Sequence, residues 1–149
     1  MTAAPTRTGT PTPVPATVRL SVLLWLTAIT AGAAEVLVRL LLPEPPTPAQ
    51  LWARFAIYTA LAVLVLALHT GRGAVRWAVA VLLGGIGTLS LVVEPATWLL
   101  AGGSPTAFLA TADGPTLLVT GLRVAHIAAV LVALTLLFRP TASEFFRRH

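Results

Sequence analysis

The segment 18–42 is almost wholly apolar, yet beyond Arg19 at its start it contains two charged residues, Glu35 and Arg39. A transmembrane helix needs about 20 apolar residues, so this segment is long enough to cross a bilayer. A charged side chain inside a membrane is costly unless it pairs with another charge or meets water. We therefore expect other segments of the chain to supply partners for both residues.

The composition indicates that water is not the main solvent of this chain. Of the 149 residues, 56% are hydrophobic and only 10% are charged, whereas about 25% are charged in soluble domains. The net charge of +5 comes from arginines beside the apolar segments, so we expect no nucleic-acid partner. Cysteine is absent, which excludes disulfides and thiol chemistry. The Ala/Leu/Val/Arg/Pro bias is typical of a GC-rich bacterial genome.

The hydropathy pattern predicts an all-α integral membrane four-helix bundle with up-down-up-down topology. The chain divides into a disordered Thr/Pro-rich cytoplasmic tail at 1–15, a transmembrane domain at 16–140 and a short amphipathic cytoplasmic tail at 141–149. Four transmembrane helices are expected, at 18–42, 51–70, 74–93 and 117–138.

Prolines and glycines set the predicted helix ends. Glu94-Pro95 is expected to end the third helix because proline cannot continue a helix. The connection 96–116 is then expected to lie on the membrane surface. In the last segment, the capping-box spacing of Thr141-Ala-Ser-Glu144 predicts one amphipathic turn, with Phe145 and Phe146 entering the membrane interface.

The distribution of arginines predicts the orientation. One side of the membrane receives Arg7, Arg19, Arg72, Arg76, Arg139, Arg147 and Arg148, and the other only Arg39, Arg54 and Arg123. The positive-inside rule then predicts that both termini are cytoplasmic. We expect a multi-pass protein of the bacterial cytoplasmic (plasma) membrane.

Two further patterns leave alternatives open. Arg19, the apolar run 20–29 and Ala31-Gly32-Ala33 have the form of a signal peptide with a cleavage site, although the apolar character resumes after it. Arg-x-Ala at Arg54 and Arg123 suggests a duplicated helical hairpin, for which chance similarity in an alanine-rich chain is the other explanation.

Polar residues concentrate in the outer half of the predicted bundle, while the inner half is almost wholly Leu, Val and Ala. A rise of 1.5 Å per residue puts Glu35 roughly 10 Å below the outer surface and His126 roughly 14 Å below it. Three- and four-residue spacing places these residues on helix stripes that face one axis. The candidate intramembrane polar or ion-pair site comprises Glu35, Arg39, Arg54, Tyr58, Glu94, Arg123 and His126.

This polar layer has two interpretations. In the first, the charged residues neutralise one another and fix the register of the helices. In the second, three arginines facing two carboxylates leave a positive site for an anion or a lipid headgroup, with His126 as a proton carrier.

Familiar catalytic motifs are absent from the sequence, and we expect neither enzymatic activity nor a metal or other cofactor. A haem held by two histidines is not expected, because only His126 is intramembrane, while His69 lies at the boundary and His149 in the tail. The segment Ala33-Ala34-Glu35-Val36 in the first of four helices resembles the small multidrug resistance transporters. That resemblance covers four residues and implies proton exchange at Glu35, with Trp77 or Tyr58 lining the site, whereas Arg39 departs from it.

We therefore expect a non-enzymatic accessory, assembly or lipid-binding membrane protein. Its expected partners are the lipid bilayer and either another membrane protein or further copies of this chain. The alternative is a small proton-coupled transporter or anion-binding membrane protein that uses Glu35 and His126.

Overall fold

The computed structural model describes residues 13–42 and 45–148, and 85% of them are helical with no strand. The predicted all-α class is confirmed, as is the presence of four helices long and apolar enough to span a membrane. Most of the predicted tail at 1–15, together with Glu44 and His149, lies outside the described residues. The helices are α1 (Ala16–Arg39), α2 (Pro48–Thr70), α3 (Gly73–Leu100), α4 (Pro105–Thr111), α5 (Gly114–Leu137) and α6 (Pro140–Arg147).

Capping residues explain why α2 and α5 begin before the expected positions. Thr47 and Gln50 form a reciprocal capping box at the start of α2, where Pro48 occupies a first-turn position that tolerates proline. Asp113 accepts a hydrogen bond from the backbone N–H of Thr116, at 3.0 Å, at the start of α5. Hydrogen bonds from the Thr116 side chain and backbone lower the pKa of Asp113.

Helices α1 and α5 form the central antiparallel pair. The Ser21 hydroxyl donates to the Ala133 carbonyl at 2.8 Å, and the Arg123 guanidinium meets Glu35 at 2.9 Å at the opposite end of the same pair. Small residues on α1, including Ala28 and Gly32, are buried, and small residues allow transmembrane helices to approach closely.

The apolar core lies at one end of the molecule, which we call the core end. It contains the beginning of α1 and the end of α5, with the end of α2, the first half of α3 and all of α6 packed around them. Its largest fully buried side chains are Trp25, Leu68 and Leu137.

The opposite end, which we call the cavity end, contains Glu35 and Arg123 and is packed differently. From Thr88 to Leu100, α3 has no buried residue, and within Pro48–Leu66 only Val65 of α2 is buried, near the core end. Because α2 and α3 leave their side chains exposed there, a space remains beside the α1–α5 pair.

The prediction that Glu94-Pro95 ends the third helix is wrong, since α3 continues to Leu100 with Pro95 inside it. A proline removes only one backbone donor, and membrane helices tolerate that loss when neighbouring groups adjust. The helix ends where Gly102 adopts a positive φ of 88° and the Gly103 N–H bonds to the Trp98 carbonyl at 3.0 Å.

The expected surface connection is therefore shorter and more ordered than predicted. Trp98 belongs to α3, and its ring contacts Phe108 of α4 edge-to-face at a centroid distance of 6.0 Å. A further feature of α3 that the sequence did not predict is a π-helical stretch at Ala80–Gly87. Wider π turns change which residues of a helix face its neighbours.

The prediction that Phe145 and Phe146 enter the membrane interface is also wrong. Both are buried against the core end, at 3% and 6% exposure. Arg76 of α3 lies over the Phe138 ring at 4.1 Å and over the Phe146 ring at 5.4 Å, and it donates to Ser143 at 3.0 Å. Helix α6 therefore closes the core end instead of lying apart from it.

Substitution of Phe146 tests this packing. Phe146→Ala removes a buried ring and a cation–π contact, so we expect a loss of about 3 kcal/mol in unfolding free energy. Phe55→Ala is the matched control, because Phe55 is 64% exposed on α2, and it should change stability by less than about 1 kcal/mol. Denaturant unfolding of the purified protein in detergent measures both values. Equal stability of the two variants would contradict the buried position of Phe146.

Candidate functional site

Glu35 is the centre of a chain of ion pairs at the cavity end. Its Oε1 accepts hydrogen bonds from Nη2 and Nε of Arg39, at 2.9 and 3.1 Å, and from Nη2 of Arg123 at 2.9 Å. The other side of Arg123 bonds to Glu94, with 2.8 Å between Nη1 and Oε2. Four charged groups from α1, α3 and α5 are thereby joined in one line.

Burial within the molecule differs along this line. Glu35 is buried, with 9% of its side chain exposed, and Arg123 is nearly so at 17%, whereas the Glu94 side chain is 71% exposed. A buried charge that loses its partner is strongly destabilising, but an exposed pair contributes little. The pair between Glu35 and Arg123 is therefore the ion pair that contributes most to holding α5 against α1 at the cavity end.

Arg54 borders the same cavity but takes no part in this line. Among the residues that the structure describes, no carboxylate lies within salt-bridge distance of its guanidinium, and the residue is exposed. Arg54 and Tyr58 are one helical turn apart on α2, and both line the cavity.

Gly32 allows a close approach between three helices. A Cβ atom at this position would lie 3.2 Å from Tyr58 Oη and 3.3 Å from His126 Cε1. The absent side chain thus lets Tyr58 of α2 and His126 of α5 meet on the face of α1. Within the described part of the chain, the buried Nδ1 of His126 has no hydrogen-bond partner.

Trp25 also lines the cavity, although the sequence-based prediction of the site omitted it. It is fully buried, and its Nε1 has no hydrogen-bond partner among the described residues. Trp25, Ala28, Gly32, Glu35 and Arg39 share three- and four-residue spacing on α1. That periodicity was the signal that would have found Trp25.

Together these residues enclose a cavity of about 440 Å³. All seven predicted site residues border it, and so do Trp25 and Ser90. Its remaining walls are mainly apolar and include Ile29, Leu61, Leu83 and Val130. The lining therefore combines a charged region with a region of neutral hydrogen-bond donors and hydrocarbon.

The formal charge around the cavity is positive. Arg39, Arg54 and Arg123 face it together with two carboxylates, Glu35 and Glu94. Because Glu35 and Glu94 are taken up by the line of ion pairs, the surplus positive charge of the described cavity lining lies at Arg54. A site of this kind attracts an anionic group, and an arginine binds phosphate or carboxylate oxygens with two parallel hydrogen bonds.

Comparison of the chain with protein-family models, with curated proteins and with solved structures gives no match. A function for this protein is therefore inferred from the chemistry of the cavity.

Glu35→Gln tests whether the buried charge holds the helices together. The change keeps the shape of the side chain but leaves Arg39 and Arg123 without their shared carboxylate, so we expect a loss of about 3 kcal/mol in unfolding free energy. Glu94→Gln removes the exposed partner of the same arginine and should cost less than about 1 kcal/mol. Denaturant unfolding in detergent measures the difference. An equal effect of the two substitutions would show that Glu35 is not the central acceptor.

Proposed function

We propose that this protein is a non-enzymatic membrane protein that binds one anionic lipid, with the lipid phosphate held by Arg54 at the mouth of the cavity. The observation that carries the proposal is a cavity lined by an arginine without a carboxylate partner among the described residues. The neighbouring arginines already have such partners.

The apolar walls favour a lipid over a small soluble anion. Leu61 and Leu83 line the cavity together with the charged groups, so a ligand with one polar end and one hydrocarbon end satisfies both regions. At the cavity end, α2 buries no side chain before Val65, and α3 buries none between Thr88 and Leu100. Acyl chains leave the cavity between these two helices in our proposal.

The proposed arrangement in the membrane follows from the arginines. The core end bears Arg19, Arg72, Arg76, Arg139, Arg147 and Arg148, and the positive-inside rule favours a cytoplasmic position for such an end. The bundle is then up-down-up-down with both termini inside, in the cytoplasmic membrane of a bacterium. The cavity would take a lipid from the outer leaflet.

The second candidate is a small proton-coupled transporter. It is supported by His126, which lines the cavity, because imidazole is the side chain that ordinarily exchanges protons near neutral pH. Glu35 supports it less, since its carboxylate already accepts hydrogen bonds from two arginines and protonation would disrupt both. Lipid binding uses Arg54, which has no carboxylate partner in the described part of the chain, so we favour it.

Arg54→Gln tests the proposal. Native mass spectrometry of the protein in detergent, titrated with phosphatidylglycerol or phosphatidylcholine of the same acyl chains, should show one tightly bound phosphatidylglycerol in the wild type. Loss of a hydrogen bond to a charged group weakens binding by about tenfold or more. The preference of Arg54→Gln for phosphatidylglycerol over phosphatidylcholine should therefore fall by about tenfold or more. Arg19→Gln removes the same charge from the core end and should retain the preference.

Two results would overturn lipid binding at Arg54. One is equal binding of the two lipids by the wild type. The other is displacement of phosphatidylglycerol by glycerol 3-phosphate at equal concentration, which would show that the site takes a soluble anion.

A further inference from the structure

Apart from the guanidinium nitrogens of Arg54 and Arg123, three hydrogen-bonding groups in the cavity have no partner among the described residues. They are Tyr58 Oη, His126 Nδ1 and Trp25 Nε1, and the nitrogen atoms of the last two are buried. A buried polar group without a hydrogen bond is unfavourable, and such groups in native structures usually have a ligand or an ordered water as partner. We call the part of the cavity bordered by Trp25, Gly32, Tyr58 and His126 the Gly32 chamber.

The chemistry of these groups defines what the Gly32 chamber accepts. An indole N–H is a donor only, a phenol O–H donates, and a neutral imidazole donates from Nδ1 when the proton is on that atom. The complementary ligand atom is therefore a hydrogen-bond acceptor. Ala28, Leu83 and Val130 line the same cavity, and hydrocarbon surroundings disfavour a further unpaired charge. A neutral carbonyl oxygen satisfies both requirements.

The position of the chamber relative to Arg54 identifies the kind of carbonyl. Tyr58 lies four residues after Arg54 on α2, about 6 Å further along the helix axis toward the core end. In a glycerophospholipid, the ester carbonyls follow the phosphate at a comparable spacing along the glycerol backbone. A phosphate at Arg54 thus brings an ester carbonyl to the level of Tyr58 and His126.

We infer that the Gly32 chamber binds the ester carbonyl of the lipid whose phosphate is held by Arg54. The ligand class is an ester-linked anionic glycerolipid. This inference rests on the proposed function, but it concerns other atoms of the ligand and other residues of the protein.

Ester- and ether-linked phosphatidylglycerol of the same chain length distinguish this role, because the ether lipid keeps the phosphate but lacks the carbonyls. In native mass spectrometry with both lipids competing, the wild type should prefer the ester lipid by about three- to tenfold, the contribution of a net hydrogen bond. The double variant Tyr58→Phe/His126→Phe keeps an aromatic ring at each position and leaves Trp25 Nε1 as the remaining donor, so it should lose most of the ester preference. His69→Phe, outside the cavity, should retain the preference.

The same titrations separate failure of this inference from failure of the proposed function. Arg54→Gln should lose the preference for phosphatidylglycerol over phosphatidylcholine and still prefer ester over ether lipid. If the wild type prefers phosphatidylglycerol but does not distinguish the ester lipid from the ether lipid, carbonyl binding in the Gly32 chamber is contradicted. Phosphate binding at Arg54 is then still supported. A wild type without preference for phosphatidylglycerol overturns the proposed function itself.

A second variant covers the case in which the double variant does not fold. Gly32→Ala keeps every polar group but introduces a Cβ 3.2 Å from Tyr58 Oη, so it narrows the chamber. It should reduce the ester preference by about threefold or more, the equivalent of a weakened hydrogen bond, without removing the preference for the anionic headgroup. An unchanged ester preference in Gly32→Ala would contradict the position of the carbonyl.

Discussion

The structure depends on the carboxylate of Glu35 in α1, which accepts hydrogen bonds from arginines on two helices. Oε1 of Glu35 accepts bonds from Arg39 on its own helix and from Arg123 on α5, and Arg123 extends the line to Glu94 of α3. In hydrocarbon, none of these charges is stable alone. Their mutual neutralisation fixes three helices at the cavity end, where apolar packing is sparse. Among the described residues of the cavity, it leaves Arg54 as the arginine without a carboxylate partner.

The two ends of the molecule are held by different forces. At the core end, Trp25, Leu68 and Leu137 are fully buried, and Phe145 and Phe146 of α6 belong to the same apolar cluster. At the cavity end, charge pairing replaces side-chain packing. A cavity beside α2 and α3 persists because ion pairs hold helices together without filling the space between them. The donors of the Gly32 chamber lie between these two regions.

The sequence predicted the class of fold and the residues of the site. It did not predict where the third helix ends, how α6 packs or which site residues pair with one another. Glu35, Arg123 and His126 could be found because polar residues stand out in apolar segments, and helical spacing placed them on facing stripes. The predicted helix end at Pro95 was wrong because the rule that proline ends a helix considers only local structure. One missing backbone donor disturbs a long helix little. Phe146 misled the prediction because its partner, Arg76, is distant in sequence.

The cavity arginine that lacks a carboxylate partner among the described residues, Arg54, could not be identified from the sequence. Which arginine remains without a carboxylate depends on side-chain reach across helices, and spacing along one helix does not contain that information. Trp25 shared the stripe of Glu35 and was overlooked because its ring resembles ordinary core.

A crystal structure grown from a lipidic mesophase that contains phosphatidylglycerol tests the account most directly. We predict one lipid in the cavity, with its phosphate against the Arg54 guanidinium and an ester carbonyl within hydrogen-bond distance of Tyr58 or His126. Glu35 should remain between Arg39 and Arg123. A cavity closed by repacked side chains, with Glu35 and Arg123 turned toward the acyl chains, would contradict both the ion-pair arrangement and the site built on it.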